Sequence, residues 1–288
     1  MSGKVYLIGA GPGDPELLTR KAWRLIQSAD AVLHDELVSP EILALVPPFA
    51  RVFSVGKRCR RRAVTQEEIN TLMVACAQSG LTVVRLKGGD PLIFGRSGEE
   101  LDALREAEVK FEIVPGVTAA CAAAAAARIP LTDRRFASEL VFVPGQLASG
   151  KSTQAAWERL SPNATVVVYM PGADYARVSA QLVEAGLNPE TPCLIVSCAS
   201  MPEEQRLLTT LEGLPEVSAG PSPSLLIVGA VAALGSGAPG KPVHNAFIES
   251  FSVGHVWCDV RRTPWHRKEK GLPCLLAGEE GKTRDWGK

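Results

Sequence analysis

The sequence predicts an α/β protein built from two domains, and three observations carry that expectation. Short β-branched apolar runs alternate with helix-period segments over residues 5–127, the pattern of a mostly parallel sheet covered on both faces. The character changes around residues 129–135, after which a second strand–helix series begins. Beyond Gly235 the periodicity fails, and Gly, Pro, isolated Trp and charged runs replace it. The expected limits are therefore 1–133 for a first α/β domain, 134–235 for a second, and 236–288 for a divergent, poorly ordered tail.

Taken in order, residues 5–8 read as a strand. Residues 15–29 read as a helix with Leu17, Leu18, Ala22, Leu25, Ile26 and Ala29 on one face. Residues 31–33 and 52–55 are further strands, and Thr65 caps a helix to about Ser79. A strand over 82–86, a helix over 98–108, a strand over 111–114 and an alanine-rich, tightly packed helix over 118–127 complete the first series. In the second, residues 140–143, 165–169, 193–196 and 225–228 read as strands, with 205–210 as an antiparallel addition. Helices are expected over 154–160 and 175–185, the latter ended by Gly186.

Lys+Arg and Asp+Glu both total 31 in the 288 residues, so no global field draws the chain to nucleic acid or a membrane surface. A charged ligand must be held by a local cluster. Seven cysteines without a C-x-x-C pair point to free thiols in a reducing compartment. The one local group, His255, Cys258, His266 and Cys274, fits no standard zinc spacing, so no metal is expected. Glycine and proline interrupt the first apolar run within a few residues, which argues against a signal peptide. The longest small-apolar run, 118–127, is too short to span a bilayer. The expected setting is the cytoplasm.

Three glycine-rich loops compete for a ligand. The first, Gly9-Ala10-Gly11-Pro12-Gly13-Asp14-Pro15, follows a strand but has G-x-G-x-G spacing. Its Pro12 and Pro15 remove amides that a pyrophosphate would require, which opposes a dinucleotide site. The second, within residues 85–96 (RLKGGDPLIFGR), stands at the carboxyl end of a strand, where open α/β sheets bind ligands. Its Gly88 and Gly89 allow close backbone approach, and Asp90 offers acceptors to a ribose or amine. The third, residues 145–152, matches G-x-x-x-x-G-K-[ST] after a strand. It lacks the aspartate-ended strand that supplies the metal side of a phosphate-binding site.

The stretches VYLIGAGPGDPELLT (5–19), HDELVS (34–39), VGKR (55–58), VVRLKGGDPLIFGRSGEE (83–100), VPGVTAA (114–120), IPLTDR (129–134) and VVVYM (166–170) follow one another in this order. Together they resemble the uroporphyrinogen-III C-methyltransferases, S-adenosylmethionine-dependent methylases of tetrapyrrole biosynthesis, over roughly residues 4–232. The resemblance implies two α/β domains of the tetrapyrrole methylase type with a ligand cleft between them, usually in a homodimer. It places Pro12, Gly88, Gly89, Asp90, Ile93, Thr118 and Ala119 at the S-adenosylmethionine site, completed by Met170 and Ala199. It assigns Asp35 as proton acceptor and Lys57 as proton donor, and turns Arg96, Glu99 and Arg134 toward the tetrapyrrole. The sequence departs from the family in four places: His34 stands for tyrosine, Asp133 for histidine, Ala199 for the usual glycine, and Val143-Pro144-Gly145-Gln146 where many members read V-T-G-H.

The implied chemistry needs no metal, because a sulfonium methyl is already electrophilic. The acceptor is an enamine-like pyrrole carbon of uroporphyrinogen III, activated by removing the pyrrole N–H proton, and Asp35 just past a strand end suits that task. Two successive methylations, at C-2 and C-7, would give precorrin-2. An acceptor with eight carboxylates requires cations, and Lys57, Arg58 and Arg60 to Arg62 form a dense local patch suited to clasp them. No aromatic platform accompanies that patch, which opposes single-stranded nucleic acid. The competing readings are another corrin-pathway methyltransferase, a nucleotide-binding protein using 145–152, and a catalytically weak S-adenosylmethionine-binding module.

Overall fold

The computed structural model describes residues 3–56, 64–145, 157 and 160–235. The first five strands are β1 (Lys4–Gly9), β2 (Ala31–His34), β3 (Arg51–Ser54), β4 (Thr82–Lys87) and β5 (Lys110–Val114), paired in the order β3-β2-β4-β1-β5. Every pairing in this sheet is parallel, as the strand–helix alternation predicts. Side chains alternate between two buried layers. Val5, Leu7, Leu33 and Val83 pack on α3 (Gln66–Gln78) and α4 (Ser97–Glu106), which contribute Ile69, Met73, Leu101 and Leu104. Ile8, Val32, Val84 and Leu86 face α1 (Arg20–Ile26) and α2 (Pro40–Leu43) through Ala22, Ile26 and Ile42.

Two local differences from the sequence expectation have capping causes. The segment read as one helix over 15–29 is a 3₁₀ turn, Pro15–Leu17, followed by α1. Leu18 and Thr19 are extended between them, and the Thr19 hydroxyl accepts from Ala22 N at 3.1 Å. That hydrogen bond restarts the helix one turn later than the apolar face suggests. The short α2 was not expected, yet Ser39 caps it and Pro40 begins it, the residues such a start favours. At α3 the expected cap is a full capping box. Thr65 Oγ1 accepts from Glu68 N at 3.2 Å, and Thr65 N donates to Glu68 Oε2 at 2.8 Å.

The second sheet comprises β6 (Leu140–Pro144), β7 (Thr165–Tyr169), β8 (Pro192–Ser197), β9 (Gln205–Thr210) and β10 (Ser224–Val228), in the order β6-β7-β10-β8-β9. β6 and β7 run parallel, and β9 joins β8 antiparallel as expected. The last strand inserts antiparallel between β7 and β8, setting Leu226 opposite both Val168 and Ile195. α5 (Ala119–Ala127), although it closes the first series, packs on this sheet: Ala120, Ala123, Ala124 and Ala127 share one core with Val167, Tyr169, Val196, Leu225 and Ile227. α6 (Tyr175–Glu184) covers the opposite face with Tyr175, Val178 and Leu182 against Val166, Val168 and Leu226. Gly186 follows it in the left-handed region at φ +97°.

Both sheets belong to one unit, Met1–Val243; a second, His244–Lys288, lies outside the described residues. The helix expected over 154–160 is described only at Trp157 and Leu160, both buried. Among the described residues no helix is long and apolar enough to cross a membrane.

Candidate active site

The carboxyl ends of β1, β2 and β4 open onto one pocket of about 170 Å³, where a parallel sheet exposes its ligand crevice. From the first sheet it takes Gly11, Pro12, Asp35, Leu37, Lys87 and the 88–95 loop, with Thr118 and Ala119 from the start of α5. The second sheet contributes Tyr169, Met170, Val196, Ala199 and the residues 223–225. All nine residues expected at the cofactor site therefore line the same pocket, together with Asp35.

The two glycine loops zip together. Gly11 N donates to Gly89 O at 3.1 Å and Gly89 N to Gly11 O at 2.7 Å, so these amides serve each other rather than a phosphate. Gly89 is required by its φ of +67°. A Cβ at Gly88 would stand 2.8 Å from Leu37 Cβ. Asp90 is structural as well as pocket-lining, since Oδ1 accepts from Leu92 N at 2.8 Å and Oδ2 from Gly116 N at 3.0 Å. Of seven non-glycine residues with positive φ among those described, Phe94, Arg96, Met170, Cys198 and Ser200 occupy loops in or next to the pocket lining. The other two, Glu108 and Arg128, end helices. Backbone strain thus concentrates where a site would require it. Ala199 keeps an ordinary φ between two such residues, so its methyl adds no backbone strain.

Tyr169 ties the two sheets together across the pocket. Its hydroxyl lies 2.6 Å from Thr118 Oγ1 and accepts from Ala120 N at 3.3 Å, satisfying the first turn of α5. Its ring packs obliquely on Phe94 (5.0 Å) and Phe142 (5.4 Å). Burial raises the phenol above its ordinary range, against the hydrogen bonds from Thr118 and Ala120. Tyr169→Phe is expected to lower stability by about 1–3 kcal/mol, because Ala120 N then loses its acceptor. Urea unfolding checks the loss.

Behind the pocket lies a chain of four alternating charges. Arg85 Nη2 donates to Asp35 Oδ1 at 2.5 Å and Arg85 Nε to Glu100 Oε1 at 2.9 Å. Lys87 Nζ reaches both Glu100 oxygens at 3.0 and 2.9 Å. Arg85, Lys87 and Glu100 are buried, whereas the Asp35 side chain is 31% exposed. Burial pushes the Arg85 guanidinium down, but Asp35 and Glu100 outweigh it and hold the group more firmly charged. Burial, helped by Arg85, pulls Lys87 below the usual lysine range despite Glu100. Arg85, Lys87 and Glu100 were not singled out from the sequence. Two cations spaced by two on a central, otherwise apolar parallel strand were the available signal.

The residues expected to face a substrate are placed less completely. Arg96 and Glu99 stand beside Gly95 of the lining and pair with each other at 2.8 and 2.7 Å, both about half exposed. Arg134 is exposed and outside the lining. The neighbouring Asp133 is bound by Arg135, which holds its carboxyl down to about 2. His34 is nearly buried at the end of β2, its Nδ1 2.9 Å from Asp35 O. Lys57 and Arg58, with the rest of the basic patch, lie outside the described residues, as do 146–152 of the third loop and the 255–274 cluster. Among the described residues no group of three or more His, Cys, Asp or Glu is placed to hold a metal.

The model of the tetrapyrrole (corrin/porphyrin) methylases matches residues 4–215, three quarters of the chain and most of both sheets. The chain belongs to that family. The uroporphyrinogen-III C-methyltransferase of Paracoccus denitrificans is 48% identical to this methylase over 236 residues, covering 81% of the chain and 82% of the relative. The siroheme synthase of a Psychrobacter species is 49% identical over 235 residues, and there the methylase spans only 48% of the relative's length. Among solved structures, the Thermus thermophilus uroporphyrin-III C-methyl transferase complexed with S-adenyl homocysteine matches with a TM-score of 0.71 at 42% identity, covering 81% of the methylase and 100% of that chain. The expected two-sheet α/β architecture is the one this family adopts.

Proposed function

We propose that this methylase is a uroporphyrinogen-III C-methyltransferase that carries two methyl groups from S-adenosylmethionine to C-2 and C-7, giving precorrin-2 by way of precorrin-1. The observation that carries the proposal is the convergence of Pro12, Gly88 to Asp90, Ile93, Thr118, Ala119, Met170 and Ala199 on one pocket beside a partly exposed carboxylate, Asp35. The kinship with relatives named for that reaction supports it. The lining fits an adenosyl group: it is largely apolar, built from glycine, alanine and backbone on one side and closed by Tyr169 and Met170 on the other. When bound, S-adenosylmethionine supplies an electrophilic methyl on a sulfonium.

The chain's own residues supply position and proton transfer. Leu37, Phe94 and Met170 form an apolar rim that remains 53%, 41% and 50% exposed, a surface suited to the flat body of a macrocycle. Asp35 takes the pyrrole N–H proton and so raises the electron density at the attacking carbon. Lys57 returns a proton, and Arg58, Arg96 and Arg134 hold acceptor carboxylates, Glu99 steering Arg96 through their paired contact. Holding carbon and methyl in line within a water-poor pocket supplies most of the acceleration. Residues 1–133 then provide the base and most of the cofactor contacts, and residues 134–235 close the pocket. The proposed state is a homodimer in the cytoplasm, acting without a metal.

Isothermal titration with S-adenosylhomocysteine and, separately, ATP–Mg²⁺ tests the assignment. Micromolar binding of the former with no response to the latter is expected. ATP binding with no response to S-adenosylhomocysteine would contradict it and move the function to residues 145–152.

A further inference from the structure

Arg85 is placed as no merely space-filling residue needs to be. It is 2% exposed on the central strand of the first sheet. Besides its pairs to Asp35 and Glu100, its Nη1 donates to the carbonyls of Leu33 at 3.3 Å and Leu86 at 3.2 Å. A buried guanidinium is tolerated only when its N–H groups are met in this way, and an apolar side chain of equal volume would often be as stable. Of its two carboxylate partners only Asp35 opens to the pocket. Glu100 is fully buried and anchors the arginine from behind, itself fixed by Lys87 and by Gln66 Nε2 at 3.3 Å. Asp35 is held at its backbone as well, its N donating to Leu86 O at 3.2 Å.

We propose that Arg85 is a positioning residue for Asp35: it occupies Oδ1, fixes the plane of the carboxylate, and leaves Oδ2 as the oxygen that receives the proton. Among the described residues no hydrogen bond engages Oδ2. The inference rests on reading Asp35 as the base. In the step concerned, the pyrrole N–H bond breaks, its electron pair stays with the ring, and the proton ends on Oδ2. Glu100 serves by locking the guanidinium so that it cannot follow Asp35 as the aspartate is neutralised.

The test is a double-mutant cycle on the full chain, with turnover of uroporphyrinogen III and affinity for S-adenosylhomocysteine as separate readouts. Arg85→Gln is expected to lower kcat about tenfold or more, since small misplacements of a reacting group are costly, while homocysteine-nucleoside affinity stays within about twofold. Arg85→Lys, which keeps the charge but gathers its donors on a single nitrogen, recovers part of the loss. In an Asp35→Asn background the Arg85→Gln penalty all but disappears. A full Arg85→Gln penalty in both backgrounds overturns the positioning role while leaving Asp35 as the base. An unchanged kcat for Asp35→Asn alone overturns the base and the inference together. Should Arg85→Gln not fold, Glu100→Gln enters the same cycle, with the same coupling expected and additivity again decisive against the proposal.

Discussion

Asp35→Asn is expected to slow turnover by about 10²–10⁴-fold while leaving S-adenosylhomocysteine affinity within about twofold of the unmodified chain. The asymmetry follows from the geometry. Asp35 lines the pocket, but its Oδ1 is committed to Arg85, and asparagine can still accept there. The substitution therefore spares the fold and the surrounding lining and removes only the capacity to take a proton. A loss of binding equal to the loss of rate would instead mean that Asp35 holds the cofactor. Steady-state kinetics beside calorimetry separates the two.

Glu100→Ala is expected to destabilise the protein by about 3–5 kcal/mol, the range for removing one member of a buried ion pair. Glu100 is fully buried and accepts from Arg85, Lys87 and Gln66. Without it two buried cations face Asp35 alone, and Asp35 is part-exposed and bonded only to Arg85 of the two. The preceding residue provides the control. Glu99 is about half exposed and, among the described residues, its carboxylate pairs with Arg96 alone, so Glu99→Ala is expected within about 0.5 kcal/mol of the unmodified chain. Urea unfolding of the two variants side by side checks the contrast. Equal midpoints would show that the buried network contributes no net stability.

That contrast also shows what the sequence can convey. Glu99 and Glu100 are chemically identical neighbours in the first turn of one helix, and which of them is buried depends on the rotation of α4 over β4. The spacing of Ser97, Glu100, Leu101 and Leu104 sets Glu100 on the buried face, but local pattern does not say that Arg85 and Lys87 meet it there. Most described strands and helices whose identity rests on period were legible to within a residue or two, including β9 and the cap at Thr65, whereas the helix read over 15–29 begins only at Arg20. The insertion of β10 between β7 and β8 was not, because antiparallel pairing across more than 50 residues leaves no local trace. The nine positions that the family likeness assigns to the cofactor line one pocket, and the structure gives several of them reasons the sequence did not suggest. Gly89 answers to a positive φ, Gly88 to Leu37, and Asp90 to two backbone amides. Tyr169 read only as the end of an apolar strand, since its partners Thr118 and Ala120 lie about 50 residues earlier.

The most direct test of the central claim is the mass and carbon-13 spectrum of uroporphyrinogen III after anaerobic incubation with the full chain and methyl-labelled S-adenosylmethionine. The expected product carries two labelled methyl groups, at C-2 and C-7, through an intermediate carrying one. Label at any other ring position, or an acceptor recovered without label while S-adenosylhomocysteine still binds, would contradict the assignment and leave a methylase whose acceptor is a different tetrapyrrole.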